Sequence, residues 1–279
     1  MKIAVLSGKG GTGKTLVSVN LAYSAEKSSY IDCDVEEPNG YLYFKPEITD
    51  TKEVTVKIPV VDQEKCTNCK KCVEFCNFNA LAHTGKKLLV FEDICHSCGG
   101  CAIICPEGAI TEIDRVIGKV EIGHKDHVDV FTGFLDIGVA SGIPIINELM
   151  DQNDKKNNDL NLIDCPPGSA CIVMESIKDA DYCLLIAEPS IFGAHNLAMV
   201  YELVTLFKKP VGVILNKYGE GYNPSEEFCI KNNIQILEKI PYSEKLGKLN
   251  SEGKIAVQEE EEYKELFSSL LDKIVKESE

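Results

Sequence analysis

Residues Gly8-Lys9-Gly10-Gly11-Thr12-Gly13-Lys14-Thr15 constrain the fold more tightly than any other stretch of the chain. They follow the apolar run Ile3-Ala4-Val5-Leu6, which reads as a buried strand. They precede Leu16 to Ala25, where apolar and small residues recur at helical spacing. Strand, glycine-rich loop and helix in this order match the phosphate-binding form G-x-x-x-x-G-K-S/T. Glycines at 8, 10, 11 and 13, with Thr12 between them, let backbone N–H groups converge on phosphates, and the helix N-terminus adds partial positive charge. Lys14 is placed to reach the outer phosphates, and the Thr15 hydroxyl to ligate Mg²⁺.

Lys9 is a second lysine in the loop, directly after its first glycine. The pattern G-K-G-G-x-G-K-S/T resembles the deviant P-loop of the MinD/ParA-like ATPases, within the wider Mrp/NifH superfamily. The resemblance implies an α/β fold: a mostly parallel P-loop NTPase sheet with helices on both faces. It also implies ATP/ADP and Mg²⁺ as ligands, and a dimer that sandwiches ATP, formed with an identical chain or a paralogue. In such a dimer Lys9 reaches the partner's nucleotide, a cation supplied in trans where phosphoryl transfer develops negative charge.

Further segments fall where that family places its site. Ser29-Tyr30-Ile31-Asp32-Cys33-Asp34 reads as a short strand ending in two carboxylates. By position Asp34 is expected to orient the attacking water and Asp32 to support the Mg²⁺ shell. Leu160-Asn161-Leu162-Ile163-Asp164 is an apolar strand followed by Cys165-Pro166-Pro167-Gly168. It matches the Walker B position, with Asp164 on Mg²⁺ and Gly168 sensing the γ-phosphate. Asp181 to Ala187 and Val211 to Leu215 read as buried parallel strands separated by a helix from Gly193 to Phe207. The resemblance sets Asn216 at the adenine edge, with Pro241 and Tyr242 beside the base.

A second signal is independent of the first. Of thirteen cysteines, eight lie between Cys66 and Cys105, as Cys66-x2-Cys69-x2-Cys72-x3-Cys76 and Cys95-x2-Cys98-x2-Cys101-x3-Cys105-Pro106. This is the doubled spacing of bacterial ferredoxins, in which the fourth cysteine of each run ligates the other cluster. Cys66, Cys69, Cys72 and Cys105 are therefore expected on one 4Fe–4S cluster, and Cys76, Cys95, Cys98 and Cys101 on a second. Asn79-Ala80-Leu81 and Gly108-Ala109-Ile110 repeat after the fourth cysteine of each half, whereas Asn77 stands where the second half has Pro106. Zinc is the competing reading of any C-x2-C pair, but it rarely takes eight cysteines at symmetric spacing. The expected organisation is a nucleotide domain over 1–56 and 115–279, interrupted by a small α+β ferredoxin domain over 57–114.

Composition sets the exclusions. A net charge of −15 argues against nonspecific binding of nucleic acid or anionic membrane. No apolar stretch approaches the roughly 20 residues of a membrane span, and a cytoplasmic protein is expected. His124, His127, Asp126 and Asp129 make a metal quartet on paper, with hydrated loop residues as the plainer reading. Asp151 to Asp159, rich in Asn, Lys and Asp, reads as a surface loop, and Gln258 to Lys276 as an acidic helix packing Leu266, Leu270, Leu271 and Ile274 on the core. The expected function is a nucleotide-controlled ATPase in iron–sulfur or metallocofactor assembly, acting with a redox or assembly protein. ATP-gated electron transfer and a positioning ATPase with structural or redox-sensing clusters are the alternatives. The C-x-x-C pair that bridging-cluster carriers place near the C-terminus is absent, since Cys229 stands alone.

Overall fold

The computed structural model describes residues 1–156 and 158–278. The chain opens with β1 (Lys2–Leu6), α1 (Lys14–Ser24), β2 (Ser28–Asp32) and α2 (Gly40–Phe44). A long strand, β3 (Glu47–Val61), leads to the cysteine-rich segment: α3 (Lys71–Phe75), the hairpin β4 (Leu81–His83) and β5 (Leu88–Val90), and α4 (Gly100–Ile104). The chain returns along β6 (Ile110–Lys125), then β7 (Val128–Leu135), α5 (Ile143–Asp154), β8 (Leu160–Asp164) and α6 (Cys171–Ile177). It continues with β9 (Tyr182–Ala187), α7 (Ile191–Leu206), β10 (Val211–Tyr218), α8 (Pro224–Lys231) and β11 (Ile236–Pro241). The helices α9 (Glu244–Ser251), α10 (Ala256–Glu259) and α11 (Glu261–Ser278) close it.

Nine strands form one sheet in the order β11-β10-β9-β1-β8-β2-β7-β6-β3. Neighbours from β11 to β7 pair in parallel, and β6 is antiparallel to both β7 and β3. The apolar runs are continuous because both faces are covered. Along β1, Ile3 and Val5 enter a core with α1, α9 and α11, while Ala4 and Leu6 enter one with α5, α6 and α7. Leu270, Leu271 and Ile274 are buried in the first of these cores and Leu266 packs against it. No helix among the described residues is long and apolar enough to cross a membrane.

The cysteine segment sits at the tip of a two-stranded ribbon. β3 and β6 pair from Glu47↔His124 to Val61↔Ile110, and Asp62 N–H donates to the Ala109 carbonyl to close the ladder. The expected boundaries at 57 and 114 fall on facing ribbon residues, for Lys57 and Asp114 are cross-strand partners joined by a 2.9 Å ion pair. The ribbon register shifts opposite Gly118, whose φ is 153° and whose added Cβ would lie 2.0 Å from the Phe134 carbonyl oxygen. Such a bulge bends the ribbon where it leaves the sheet.

One expectation is corrected. Asp151 to Asp154 are the last residues of α5 and not loop, because Leu149, Met150 and Asn153 continue its buried face. Composition read those polar residues as a breaker, whereas burial of the preceding turn carries the helix on. Asn157, within the same stretch, lies outside the described residues.

Candidate functional site

The carboxyl ends of β1, β2 and β8 meet at one edge, where parallel sheets form ligand crevices. The loop from Gly8 to Gly13 crosses this edge, and the Gly13 carbonyl accepts the Val17 N–H as α1 begins. Gly13 has φ 100°, and a Cβ there would lie 2.2 Å from Asn216 Nδ2, so only glycine fits. A cavity over the loop is walled by Lys9, Lys14, Thr15, Asp34, Glu37 and Pro167, among others.

Asp32 and Asp164 face each other in register on β2 and β8, buried behind this wall. Lys14 Nζ lies 3.6 Å from Asp164 Oδ1, within ion-pair reach but too far for a hydrogen bond. Burial works against the Lys14 charge, but the Coulomb pull of Asp164, Asp34 and Asp32 outweighs it and raises the pKa. Asp164 Oδ2 accepts the buried Tyr30 hydroxyl at 2.8 Å, while Oδ1 has no hydrogen-bond partner. Thr12 Oγ1 is likewise buried without one. Asp164 Oδ1, a buried carboxylate oxygen without a hydrogen-bond donor, suits a hard cation such as Mg²⁺, which prefers oxygen ligands.

Asp32 is occupied differently. Its oxygens accept the backbone N–H groups of Asp34, Asn39 and Gly40 at 3.2, 3.0 and 2.8 Å, which fixes the loop leading to α2. Burial and the nearby Asp164 raise its pKa. Asp34 is half-buried at the cavity; burial lifts it, with Lys14 opposing, to about 6. Gly168, with φ 97°, donates its N–H to the Ser7 carbonyl at 2.9 Å.

Asn216, Pro241 and Tyr242 line one adjoining cavity with Gly11 and Gly13, so the three are brought together beside the loop. Asn216 Nδ2 donates to the Thr12 carbonyl at 2.7 Å and pins the loop to β10. Lys9, half-exposed, pairs with Glu188, the residue after β9. Ser190 Oγ donates to the same carboxylate at 3.0 Å, and Lys217 Nζ lies 3.7 Å from its other oxygen while donating to the Gly11 carbonyl at 2.7 Å. Burial would raise Glu188, but the bonds from Lys9 and Ser190 outweigh it and lower the pKa. Tyr30, Glu188 and Lys217 carry no motif. The signal available for Glu188 was its place at the end of an apolar strand of a parallel sheet, where such crevices form.

The eight clustered cysteines divide between two cavities. Cys66, Cys69, Cys72 and Cys105 line one; Cys76, Cys95, Cys98 and Cys101 line the other. Each set takes three thiols from one run and the fourth from the other run. The repeat recurs in the backbone: Asn68, Lys70 and Asn79 have φ 58°, 63° and 56°, and Ser97, Gly99 and Gly108 have 53°, 71° and 57° at the equivalent places. Ala80 and Ala109 are both buried behind them. Among the described residues no three His, Cys, Asp or Glu side chains converge on a point that a single ion would occupy. Donors spread around a cavity suit a cube whose irons each take one thiolate better than a tetrahedral zinc. Backbone N–H groups of Ser97 and Ala109 point at the Cys95 and Cys105 sulfurs, at 3.4 and 3.3 Å, the kind of contact that tunes a cluster's potential. Burial lifts the Cys101 thiol to about 11, so loading the site displaces a proton.

His96 stacks on Phe78 with ring centroids 3.8 Å apart. The quartet on paper is dispersed into other contacts: His127 Nε2 bonds the Tyr23 carbonyl, Asp126 accepts the Tyr23 hydroxyl, and Asp129 meets Lys156 and Asn158.

This geometry defines a P-loop nucleotide-binding protein with a ferredoxin-like segment between β3 and β6. Residues 3–257 match the CobQ/CobB/MinD/ParA nucleotide binding domain, and the chain belongs to that family. It is 32% identical over 247 residues to the uncharacterized protein MJ0579 of Methanocaldococcus jannaschii, across 85% of this chain and 88% of that one. The fold matches the cell division ATPase MinD of Pyrococcus furiosus at 22% identity and TM-score 0.62, over 99% and 98% of the two chains. It also matches the Pyrococcus horikoshii MinD complexed with Mg-ADP at 20% identity and TM-score 0.59, over 97% and 94%. A 60-residue stretch, 21% of this chain, is 38% identical to an uncharacterized ferredoxin, MJ0265 of M. jannaschii, and covers 34% of it.

Proposed function

We propose that this protein is an ATP hydrolase with two resident 4Fe–4S clusters, in which the nucleotide state of a dimer gates electron transfer to a partner protein. The observation that carries this reading is the division of the eight cysteines into two complete sets of four, in the same chain as a phosphate loop facing buried carboxylates. Four thiolates saturate a cluster and suit an electron carrier. Lys14, Thr15 and Asp164 would hold Mg²⁺ and the phosphates, Asp34 would orient the attacking water, and Lys9 would serve the partner's nucleotide. The complex of the P. horikoshii relative with Mg-ADP supports the choice of ligand. Residues 62 to 109 act as the cluster module and the rest of the chain as the nucleotide body. Each cluster supplies one-electron chemistry; the chain's own part is to hold, shield and present it.

The assembly reading stands second, since the nucleotide site around Lys14, Asp34 and Asp164 would serve it equally. It requires a cluster to leave a saturated site. Two measurements separate them on anaerobically purified protein. ATP turnover is expected to fall about 10³-fold or more in Lys9→Ala and to change when dithionite reduces the clusters. Iron transfer to an apo-acceptor is expected to be absent. Turnover indifferent to cluster redox state overturns gated electron transfer, and stoichiometric iron transfer moves assembly ahead.

A further inference from the structure

The two halves of the cysteine module carry opposite charge. Residues 62–87 hold Lys65, Lys70, Lys71, Lys86 and Lys87 against Asp62, Glu64 and Glu74, while residues 88–109 hold Glu92, Asp93 and Glu107 and neither lysine nor arginine. In a chain of net charge −15 a lysine cluster is a local reversal of sign. Lys70, Lys71, Lys86 and Lys87 are exposed and have no ion-pair partner among the described residues, whereas Lys65 pairs with Asp62. They also sit together. Lys70 and Lys71 wall the Cys66/Cys69/Cys72/Cys105 cavity, and His83 Nε2, 2.7 Å from Asn68 Oδ1, draws the β4–β5 turn with Lys86 and Lys87 against the same loop. Glu107 is the one acidic residue in that wall.

The two cavities also differ in what lies beside them. Both cavities are walled by the cysteine segment and its ribbon, and each has one exposed cysteine, Cys69 in one and Cys98 in the other, so the difference lies in the neighbouring cleft. Cys95, His96 and Ser97 of the other half share a cleft with Val139, Ser141 and Pro144 of the nucleotide body. Arg115 on the ribbon ties that half down through a 2.6 Å ion pair to Asp93. One half faces outward with unneutralised lysines; the other faces the body.

From this polarity we infer that the Lys70/Lys71/Lys86/Lys87 face is the docking surface for an acidic redox protein, and that electrons enter or leave through the Cys66/Cys69/Cys72/Cys105 side. The inference rests on the reading that each cavity holds a cluster. Uncompensated lysines around a redox centre steer an acidic partner and set its orientation, and their effect is screened by salt. One electron crosses between the docked partner and the centre; no bond is made or broken.

The test uses anaerobic holoprotein and a plant-type ferredoxin as the acidic probe, with affinity measured by interferometry across a salt series and electron exchange by stopped flow. Affinity is expected to fall about tenfold or more between roughly 20 and 200 mM salt. The triple variant Lys71→Glu/Lys86→Glu/Lys87→Glu spares Lys70, whose left-handed φ shapes the ligand loop. It should keep its iron and lose both the low-salt affinity and the salt slope. Lys27→Glu/Lys231→Glu/Lys276→Glu, remote in sequence from the module, should stay within about twofold of the parent at matched net charge. Unchanged affinity in the first triple, or equal losses in both, overturns the docking surface. Phosphatidylglycerol vesicles retained by the parent and released by the first triple, with ferredoxin affinity unmoved, also overturn it and reassign the lysines to a lipid surface. Protein without iron defeats the cluster reading itself, a result separable from any of these.

Discussion

The nucleotide body and the cysteine module hold their reacting groups by opposite means. The body buries Asp32, Asp164, Lys14 and Tyr30 between two large cores on either face of a nine-stranded sheet. The core of the module consists of Cys72, Leu81, Leu88 and Ile110, edged by other cysteines. So small a core buries too little to order some fifty residues without a metal or disulfide staple. The body can hold buried charge because its fold is secured elsewhere, whereas the module's cysteines make up much of its own small core.

That contrast breaks most visibly on removal of iron. Anaerobic chelation is expected to abolish amide-exchange protection from 62 to 109 while β1, β8 and β9 stay protected, since metal-binding energy is folding energy in such modules. Protection of the module without iron would mean that its protein core suffices. At the other end, Asp34→Asn should lower ATP turnover by about 10²–10⁴-fold with nucleotide affinity and cluster content intact, as measured by steady-state rate, nucleotide titration and iron assay.

The pH dependence sharpens the same comparison. With Asp34 near 6, above its ordinary value of 3.8, the carboxylate is protonated as pH falls through about 6, and turnover should drop about tenfold per unit below that point. The sign for stability is the reverse: a raised carboxylate favours the folded state below its unfolded value, and that contribution is lost as pH rises through about 6. An acid limb that persists unchanged in Asp34→Asn would assign it to another group.

Smaller effects follow from single contacts. Tyr30→Phe leaves buried Asp164 Oδ2 without its donor and should cost about 1–3 kcal/mol in denaturant unfolding of the body, with Mg²⁺ recovering part of it. Glu188→Gln frees Lys9 from its pairing within the chain, and should raise nucleotide-dependent dimer formation a few-fold by analytical ultracentrifugation. A decrease would make Glu188 a support of the dimer instead of a restraint on Lys9.

Legibility divided along sequence distance. The loop from Gly8 to Thr15 and the two cysteine runs were readable because each packs its chemistry into a few residues, where spacing fixes geometry. The parallel strands were readable from apolar runs bounded by polar ends, as at Leu160–Asp164. Helix α5 was cut short because Asp151 to Asp154 look like loop until Asn153 is seen to be buried.

By itself the sequence determined a phosphate loop on a parallel α/β sheet and an eight-cysteine insert, since covalent spacing within a turn or a loop leaves few alternatives. Only the tertiary structure decided the meeting of Tyr30 with Asp164, of Lys9 with Glu188, and of His83, at the end of β4, with Asn68 in the first cysteine loop. Those contacts join residues distant in the chain, through strand order and the path of the β3–β6 ribbon, and no local pattern encodes which elements become neighbours.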